Sequence, residues 1–548
     1  MWIWNFMKVG MMKRNLIAGC LCLMMWNGIS SNIQAQDRLY RNTFPLGDVE
    51  LLDGPFKHAQ ELNLKVLMEY DVDRLLAPFL KEAGLPVKAE PFPNWAGLDG
   101  HVGGHYLSAM AMNYAATGNE ECKKRMEYML SELKRCQESN GDGYIGGIPN
   151  GKVLWTDIKN GKVESIWKYW APWYNVHKIF AGLRDAWMYT GNQEALDMFL
   201  KLCDWGISVT EGLSDNQMEQ MLANEFGGMD EIFADAYQIT GEQKYLTTAK
   251  RFSHRWLFDS MAAHKDNLDN IHANTQIPKV IGYQRIAEVC GDNQYLDAAD
   301  FFWNIVACKR SLALGGNSRR EYFSAMDDFR SHVEVREGPE SCNTYNMLKL
   351  TEGLFRMTGK ATYTDFYERA LYNHILSTQH PEHGGYVYFT SARPAHYRVY
   401  SKPNSAMWCC VGTGMENHGK YGEFIYTHAS DSLFVNLFIP SRLNWEQEKV
   451  TITQETQFPD AETSRFTVGL KGGKSRHFKL LVRRPAWVTE GYEVKCNGKV
   501  VEASEKTDGS SYICIDRKWK DGDKVEVFLP MKMRLETLQG EDDFVAIM

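Results

Sequence analysis

The sequence has no block of basic charge, no tight repeat, and beyond its N-terminus no run of about 18 apolar residues. Its 61 Lys and Arg against 69 Asp and Glu leave a formal net charge of −8. It therefore lacks the electrostatic footprint of a nucleic-acid binder or of a polybasic membrane surface. With no second apolar run, the mature chain is read as not spanning a membrane. Cysteine is sparse, 12 in 548 residues. Cys20 and Cys22 lie at the N-terminus. The others, at 122, 136, 203, 290, 308, 342, 409, 410, 496 and 514, are scattered through a chain long enough to build its own core. That excludes a disulfide-stapled scaffold, although Cys496 and Cys514 could pair across a hairpin.

What is present has the balance of a soluble globular protein, 44% hydrophobic and 24% charged. At this length two or more domains are expected. Lys13 and Arg14 precede the apolar run LIAGCLCLMMW (16–26), and a polar stretch ends at Gln34-Ala35-Gln36. Residues 1–35 thus read as a signal peptide cleaved after Ala35, and the protein as exported, periplasmic or secreted. The IAGC stretch ending at Cys20 sits too close to the charges to serve as a lipoprotein box. The final LETLQGEDDFVAIM stops on an apolar run, which reads as a β-domain short of its last strands.

From about 105 to 380 an amphipathic helix repeatedly ends in a small residue–glycine step, followed by a second helix. The steps are Thr117-Gly118, Thr190-Gly191, Thr240-Gly241, Cys290-Gly291 and Thr358-Gly359. Glycine in that place is a helix C-cap. Five hairpins and an N-terminal helix near 58–76 make about six helix pairs. Their uneven spacing favours a closed (α/α)6 toroid, with a solenoid as the alternative. After about 430 come short alternating segments such as VTITQET and HFKLLVRRP, with an Asn497-Gly498 hairpin signal. They read as an antiparallel β-sandwich, to which FPLGDVELLDGPF (44–56) could add a strand. The domains expected are 36–430, helical and catalytic, and 431–548, an incomplete sandwich.

Chemistry concentrates in two stretches. WCCVGTGMENHG (408–419) sets two thiols side by side before a glycine-rich turn that opens a helix, with the helix N-terminus placed at Met415–Asn417. HVEVREGPESCNTYNMLKL (332–350) sets Glu340 and Cys342 two residues apart. Three thiols and a carboxylate are a credible tetrahedral zinc shell. Spacing alone leaves open a vicinal disulfide, buried core thiols, or ligation by His332 or His418. Two aromatic, histidine-bearing loops suit a sugar cleft: NWAGLDGHVGGHYLSA (94–109), with Trp95 and His105, and KYWAPWYNVHK (168–178), with His177.

ESCNTYNMLKL, WCCVGTGMENHGKYGEFIY, LDGHVGGHYLSA and HANTQIPKVIG resemble the β-L-arabinofuranosidase family of glycoside hydrolases, from about Phe44 into the β-domain. The resemblance implies an (α/α)6 barrel with β-sandwich domains and one zinc ion. Glu340, Cys342, Cys409 and Cys410 correspond to the zinc ligands and Cys409 to the nucleophile. Glu321 corresponds to the acid/base, with Glu334 and Glu337 nearby as alternatives. His177, His272 and Tyr388 correspond to sugar contacts. The implied substrate is an arabinofuranose-containing plant oligosaccharide or glycoprotein; the oligomeric state is left open, a homodimer included. Two other classes stay open: another (α/α)6 carbohydrate enzyme, such as an epimerase or unsaturated-uronide hydrolase, and a non-catalytic zinc-stabilised glycan binder.

Overall fold

All five predicted helix stops are glycines in the left-handed conformation. Gly118, Gly191, Gly241, Gly291 and Gly359 have φ of 69, 71, 74, 73 and 65°, which strains any residue bearing a Cβ. The computed structural model describes residues 39–93, 97–502 and 511–548, so the predicted signal peptide and Trp95 lie outside the described residues. In chain order the principal helices are α1 (Pro55–Met68), α2 (His101–Thr117), α3 (Glu120–Asn140), α4 (Pro172–Thr190), α5 (Gln193–Thr210), α6 (Met229–Thr240), α7 (Gln243–Arg251), α8 (Ala273–Cys290), α9 (Asn293–Ile305), α10 (Ser341–Thr358), α11 (Ala361–Ala370) and α12 (Cys409–Asn417).

The even-numbered helices touch in cyclic order: α2 on α4, α4 on α6, α6 on α8, α8 on α10, α10 on α12, and α12 back on α2. From α2 to α10, each packs against the odd-numbered helix that follows it. Asn63 of α1 reaches α12, donating to Met415 O at 3.0 Å. The ring closes as a toroid does, whereas the ends of a solenoid would not meet. Burial follows the two layers. Inner α2 is buried without interruption from His101 to Asn113. Outer α3 buries the stripe Cys122, Met126, Met129, Leu130, Leu133 and Cys136, and turns most of its charges to solvent, Glu132 being buried. Because each inner helix is followed by a returning outer one, the inner N-termini share one end of the ring.

Away from that end the interior is ionic. Arg184 pairs with Asp185, Glu231 and Asp235 at 2.8–3.0 Å. Arg285 joins Asp235 to Glu288, and Arg356 also reaches Glu288, at 3.0 Å. These pairs tie α4, α6, α8 and α10 to one another.

The β-region is two sheets and a terminal hairpin. The larger sheet begins with Val49–Leu51 paired antiparallel to Ser441–Trp445, so the N-terminal segment does join it. The smaller sheet corrects the antiparallel expectation: Ser432–Val435 runs parallel to Arg476–Arg484. Asn497 and Gly498 turn between Glu493–Cys496 and Lys499–Val500 with φ of 50 and 77°. Cys496 and Cys514 are free thiols, and no disulfide occurs among the described residues. No described helix is long and apolar enough to cross a membrane. The terminal hairpin, Leu535–Leu538 with Glu541–Ile547, is held to the helical body by Arg369–Glu536 at 2.6 Å and Arg330–Glu541 at 2.8 Å.

One interior acid makes stability depend on pH. Burial, with Glu423 as a second cause, pushes Glu352 up to about 7 from its ordinary 4.5. A carboxyl raised on folding favours the folded state while protonated, so stability falls as pH rises from 4.5 through 7. Glu352→Gln should therefore raise the thermal midpoint over wild type at pH 8, by the equivalent of about 1–3 kcal/mol, and not at pH 5. Parallel pH profiles for the two proteins would rule this out.

Candidate active site

Four donors converge where α10 and α12 begin. Glu340 is the N-cap of α10 and Cys342 lies in its first turn. Cys409 and Cys410 are the first two residues of α12. This corrects the expected helix start at Met415–Asn417, which is the far end of the same helix. The partial positive charge of two helix N-termini thus faces the cluster and favours anions there. The donor atoms all lie within 4.8 Å of one another. Cys409 Sγ is 3.9 Å from Cys410 Sγ and 3.7 Å from Glu340 Oε1, and Cys410 Sγ is 3.6 Å from that oxygen. Cys342 Sγ is 3.1 Å from Cys410 Sγ.

Those separations suit a tetrahedral metal. Bonds of ~2.3 Å to sulfur imply donor–donor edges of about 3.7 Å. Glu340 Oε2 is buried with no hydrogen-bond partner, an arrangement that is costly unless something else satisfies the oxygen. Electrostatics agree. Burial, then the neighbouring Cys409, holds the Glu340 carboxyl well above its usual range. Burial also raises Cys342 and Cys410. Cys409 moves the other way, pulled well down by hydrogen bonding from Cys342 and Cys410. It is also the partly exposed thiol of the three, the others being buried.

Beside the cluster stands Tyr388. The 386–390 segment lies along the entry to α10: Ser341 N donates to Tyr388 O at 3.0 Å and Thr390 N to Pro339 O at 2.9 Å. Tyr388 Oη is 3.7 Å from Cys409 Sγ and also donates to Glu321 Oε1. Glu321 is held in a left-handed backbone, φ 73°. Its carbonyl accepts from Ala273 N, at the start of α8, at 2.8 Å. His272, the N-cap of α8, brings Nε2 to 3.9 Å from Glu321 Oε2. The alternative acids turn elsewhere, Glu334 to Arg330 and Glu337 to Arg320 and Arg336.

The remaining predicted contacts lie deeper. His177 on α4 is buried with both ring nitrogens unpartnered, and burial holds it well below its usual range. His105 on α2 is 3% exposed and bonds Glu416 Oε1 through Nδ1 at 2.5 Å, leaving Nε2 buried without a partner. His332 bonds Ser324 and His418 bonds Tyr421, away from the four donors. Sequence reasoning passed over Glu225, on the NEFGG loop between α5 and α6. Burial raises its pKa, with the charges of His272 and Cys409 as further causes, so it belongs to the same electrostatic neighbourhood. The acidic residue before GGM was the available signal.

Helix α12 can approach this closely because of its glycines. A Cβ on Gly412 would sit 2.2 Å from the His105 ring, and one on Gly414 2.6 Å from that of Tyr386.

A ring of helices that sets a thiol-rich, metal-type cluster and a nearby carboxylic acid at the N-terminal end of its inner helices can pair a nucleophile with an acid, as glycoside hydrolases do. Residues 48–423 match the family model for the β-L-arabinofuranosidase GH127 catalytic domain, and 432–531 match the GH127 middle domain. The chain belongs to the GH127 family. Among solved structures it is similar to Ara127N-Se, a GH127 β-L-arabinofuranosidase from Geobacillus stearothermophilus T6. The TM-score is 0.72 and the identity 19%, over 91% of this chain and 85% of that one. It is also similar to the GH127 β-arabinofuranosidase BT3674, with TM-score 0.73 and 22% identity over 93% and 84%. At these identities the likeness to the solved structures concerns the fold. A comparison with curated protein sequences finds no match.

Gly412→Ala forces α12 away from His105. It should cost about 1–3 kcal/mol, as overpacked cores do, read as a lower urea midpoint. An unchanged midpoint would mean that the His105 ring yields freely.

Proposed function

We propose that the protein is a retaining exo-acting β-L-arabinofuranosidase of plant glycans, exported to meet them, with Cys409 as nucleophile and Glu321 as acid/base. The observation that carries this reading is the line Cys409–Tyr388–Glu321. The one partly exposed thiol and the acid are separated by a single phenol oxygen, 3.7 Å from the sulfur. That is the close spacing of a double-displacement pair. Glu340, Cys342, Cys409 and Cys410 would hold Zn²⁺, which keeps the thiols ionised and fixed in place when bound.

In the first displacement Cys409 Sγ bonds to the anomeric carbon as the C1–O bond to the aglycone breaks. Glu321 gives its proton to the departing oxygen. Tyr388, donating to Glu321 Oε1, keeps that carboxyl oriented and leaves Oε2 towards His272. In the second displacement Glu321 takes a proton from water. The water oxygen bonds to C1, the S–C1 bond breaks, and L-arabinofuranose leaves with its configuration retained. On this reading His272, the N-cap of α8, Glu225, on the loop before α6, and His177, buried in the second turn of α4, would meet sugar hydroxyls.

Three measurements on the purified chain test this together. Metal analysis should find one zinc per chain, removable with loss of hydrolysis of p-nitrophenyl β-L-arabinofuranoside. Glu321→Gln should lower kcat by roughly 10²–10⁴-fold. Cys409→Ser should abolish turnover. A fully active preparation without zinc, or full turnover by Cys409→Ser, sinks the reading.

A further inference from the structure

The helix that carries the two adjacent cysteines has a second polar attachment below them. Cys409, Thr413 and Glu416 fall at i, i+4 and i+7, so one face of α12 presents all three to α10. On α10 the facing residues are Cys342 and Tyr345, three apart. Besides the Cys342–Cys410 approach at 3.1 Å, two contacts cross the seam. Thr413 Oγ1 lies 3.2 Å from Cys342 Sγ, and Tyr345 Oη donates to Glu416 Oε2. The other carboxylate oxygen of Glu416 is held from the opposite side by His105 Nδ1 of α2, at 2.5 Å.

Glu416 is thus 5% exposed and bonded to both inner helices that flank its own. It lies ~10 Å along the helix axis from Cys409, too far to be a fifth donor. It fixes the axial register of α12 against α10, and that register sets how far Cys409 and Cys410 stand from Glu340 and Cys342. Lys178 of α4 and Asp185 also face it. Against the cost of burial, His105, Tyr345 and Lys178 hold its pKa down to about 2. It is therefore a fixed anion rather than a neutral spacer.

We infer that Glu416, gripped by Tyr345 and His105, is a positioning residue that assembles the Glu340–Cys342–Cys409–Cys410 site for its metal. The inference rests on the metal reading under Proposed function. Groups hydrogen-bonded to a metal's ligands typically change affinity by 10–100-fold when lost; Glu416 touches no ligand and would act on them through the register of α12. A carboxylate that only filled space would change folding stability and leave metal affinity alone.

The test compares wild type with Glu416→Gln, which keeps the shape and removes the charge, and Tyr345→Phe, which removes one hydroxyl. Zn²⁺ affinity is measured by competition with a chromophoric chelator. Co²⁺ replaces zinc to read the thiolate charge-transfer band. kcat and KM for p-nitrophenyl β-L-arabinofuranoside are measured with saturating zinc. Both variants should bind Zn²⁺ 10–100-fold more weakly, with an altered Co²⁺ spectrum and a fall in kcat larger than any change in KM. If Glu416→Gln does not fold, Tyr345→Phe carries the comparison. Wild-type zinc affinity and an unaltered Co²⁺ spectrum in folded variants overturn the positioning role alone. A wild-type chain that binds no zinc overturns the metal reading, and this role with it.

Discussion

Three thiols and a carboxyl within 4.8 Å, mostly buried, cannot all carry negative charge unless something positive compensates them. Much of the architecture can be understood from that constraint. The available compensation is of two kinds, a cation and oriented backbone dipoles. A toroid supplies the second automatically, because every inner helix starts at the same end and offers its unpaired N–H groups there. Two adjacent helices are used: Glu340 caps α10 and the cysteine pair begins α12. The one thiol the surroundings pull down rather than up is Cys409, bonded by its two neighbours. The site is thereby already biased towards one thiolate.

The same problem recurs along the axis of the ring and is solved differently. There Arg184, Arg285 and Arg356 are matched against Glu231, Asp235 and Glu288 in shared pairs. Buried pairs of this kind are weak sources of net stability, yet breaking one leaves a charge stranded. They bind neighbouring helices in a definite register. Glu416 extends the idea to the catalytic end, where register is also chemistry: a slip of α12 would part its sulfurs from those of α10.

The legible part of the sequence was its local geometry. A helix stop that needs a left-handed residue announces itself as glycine, so Gly118, Gly191, Gly241, Gly291 and Gly359 were readable one at a time. Asn497-Gly498 was readable for the same reason. The four donors could be paired because two short motifs matched a family, although nothing local says that residues 340 and 409 meet. What escaped was non-local. Gly412 and Gly414 look like a turn, since glycine weakens helices. They instead stand inside α12 because the His105 and Tyr386 rings occupy the space a Cβ would need. Glu416 looks like a surface glutamate until α2 and α10 close on it. The parallel pairing of Ser432–Val435 with Arg476–Arg484 is likewise invisible to strand-by-strand reading.

The adjacency of the two cysteines follows from helix geometry. Neighbouring residues on an α-helix point about 100° apart. Two adjacent donors on a helix therefore cannot face the same way. At the start of α12, Cys409 opens partly to the cleft while Cys410 turns inward, 1% exposed, to touch Cys342. Pairs spaced three or four apart would share a face, both buried or both open. Side by side, one sulfur can be enclosed as a ligand while the other stays within reach of Tyr388 and of a sugar. The same adjacency keeps the two sulfurs 3.9 Å apart, near enough for one metal to hold both. Under the proposed mechanism the WCC motif would answer a double demand: one thiol held as a ligand, and one free to attack.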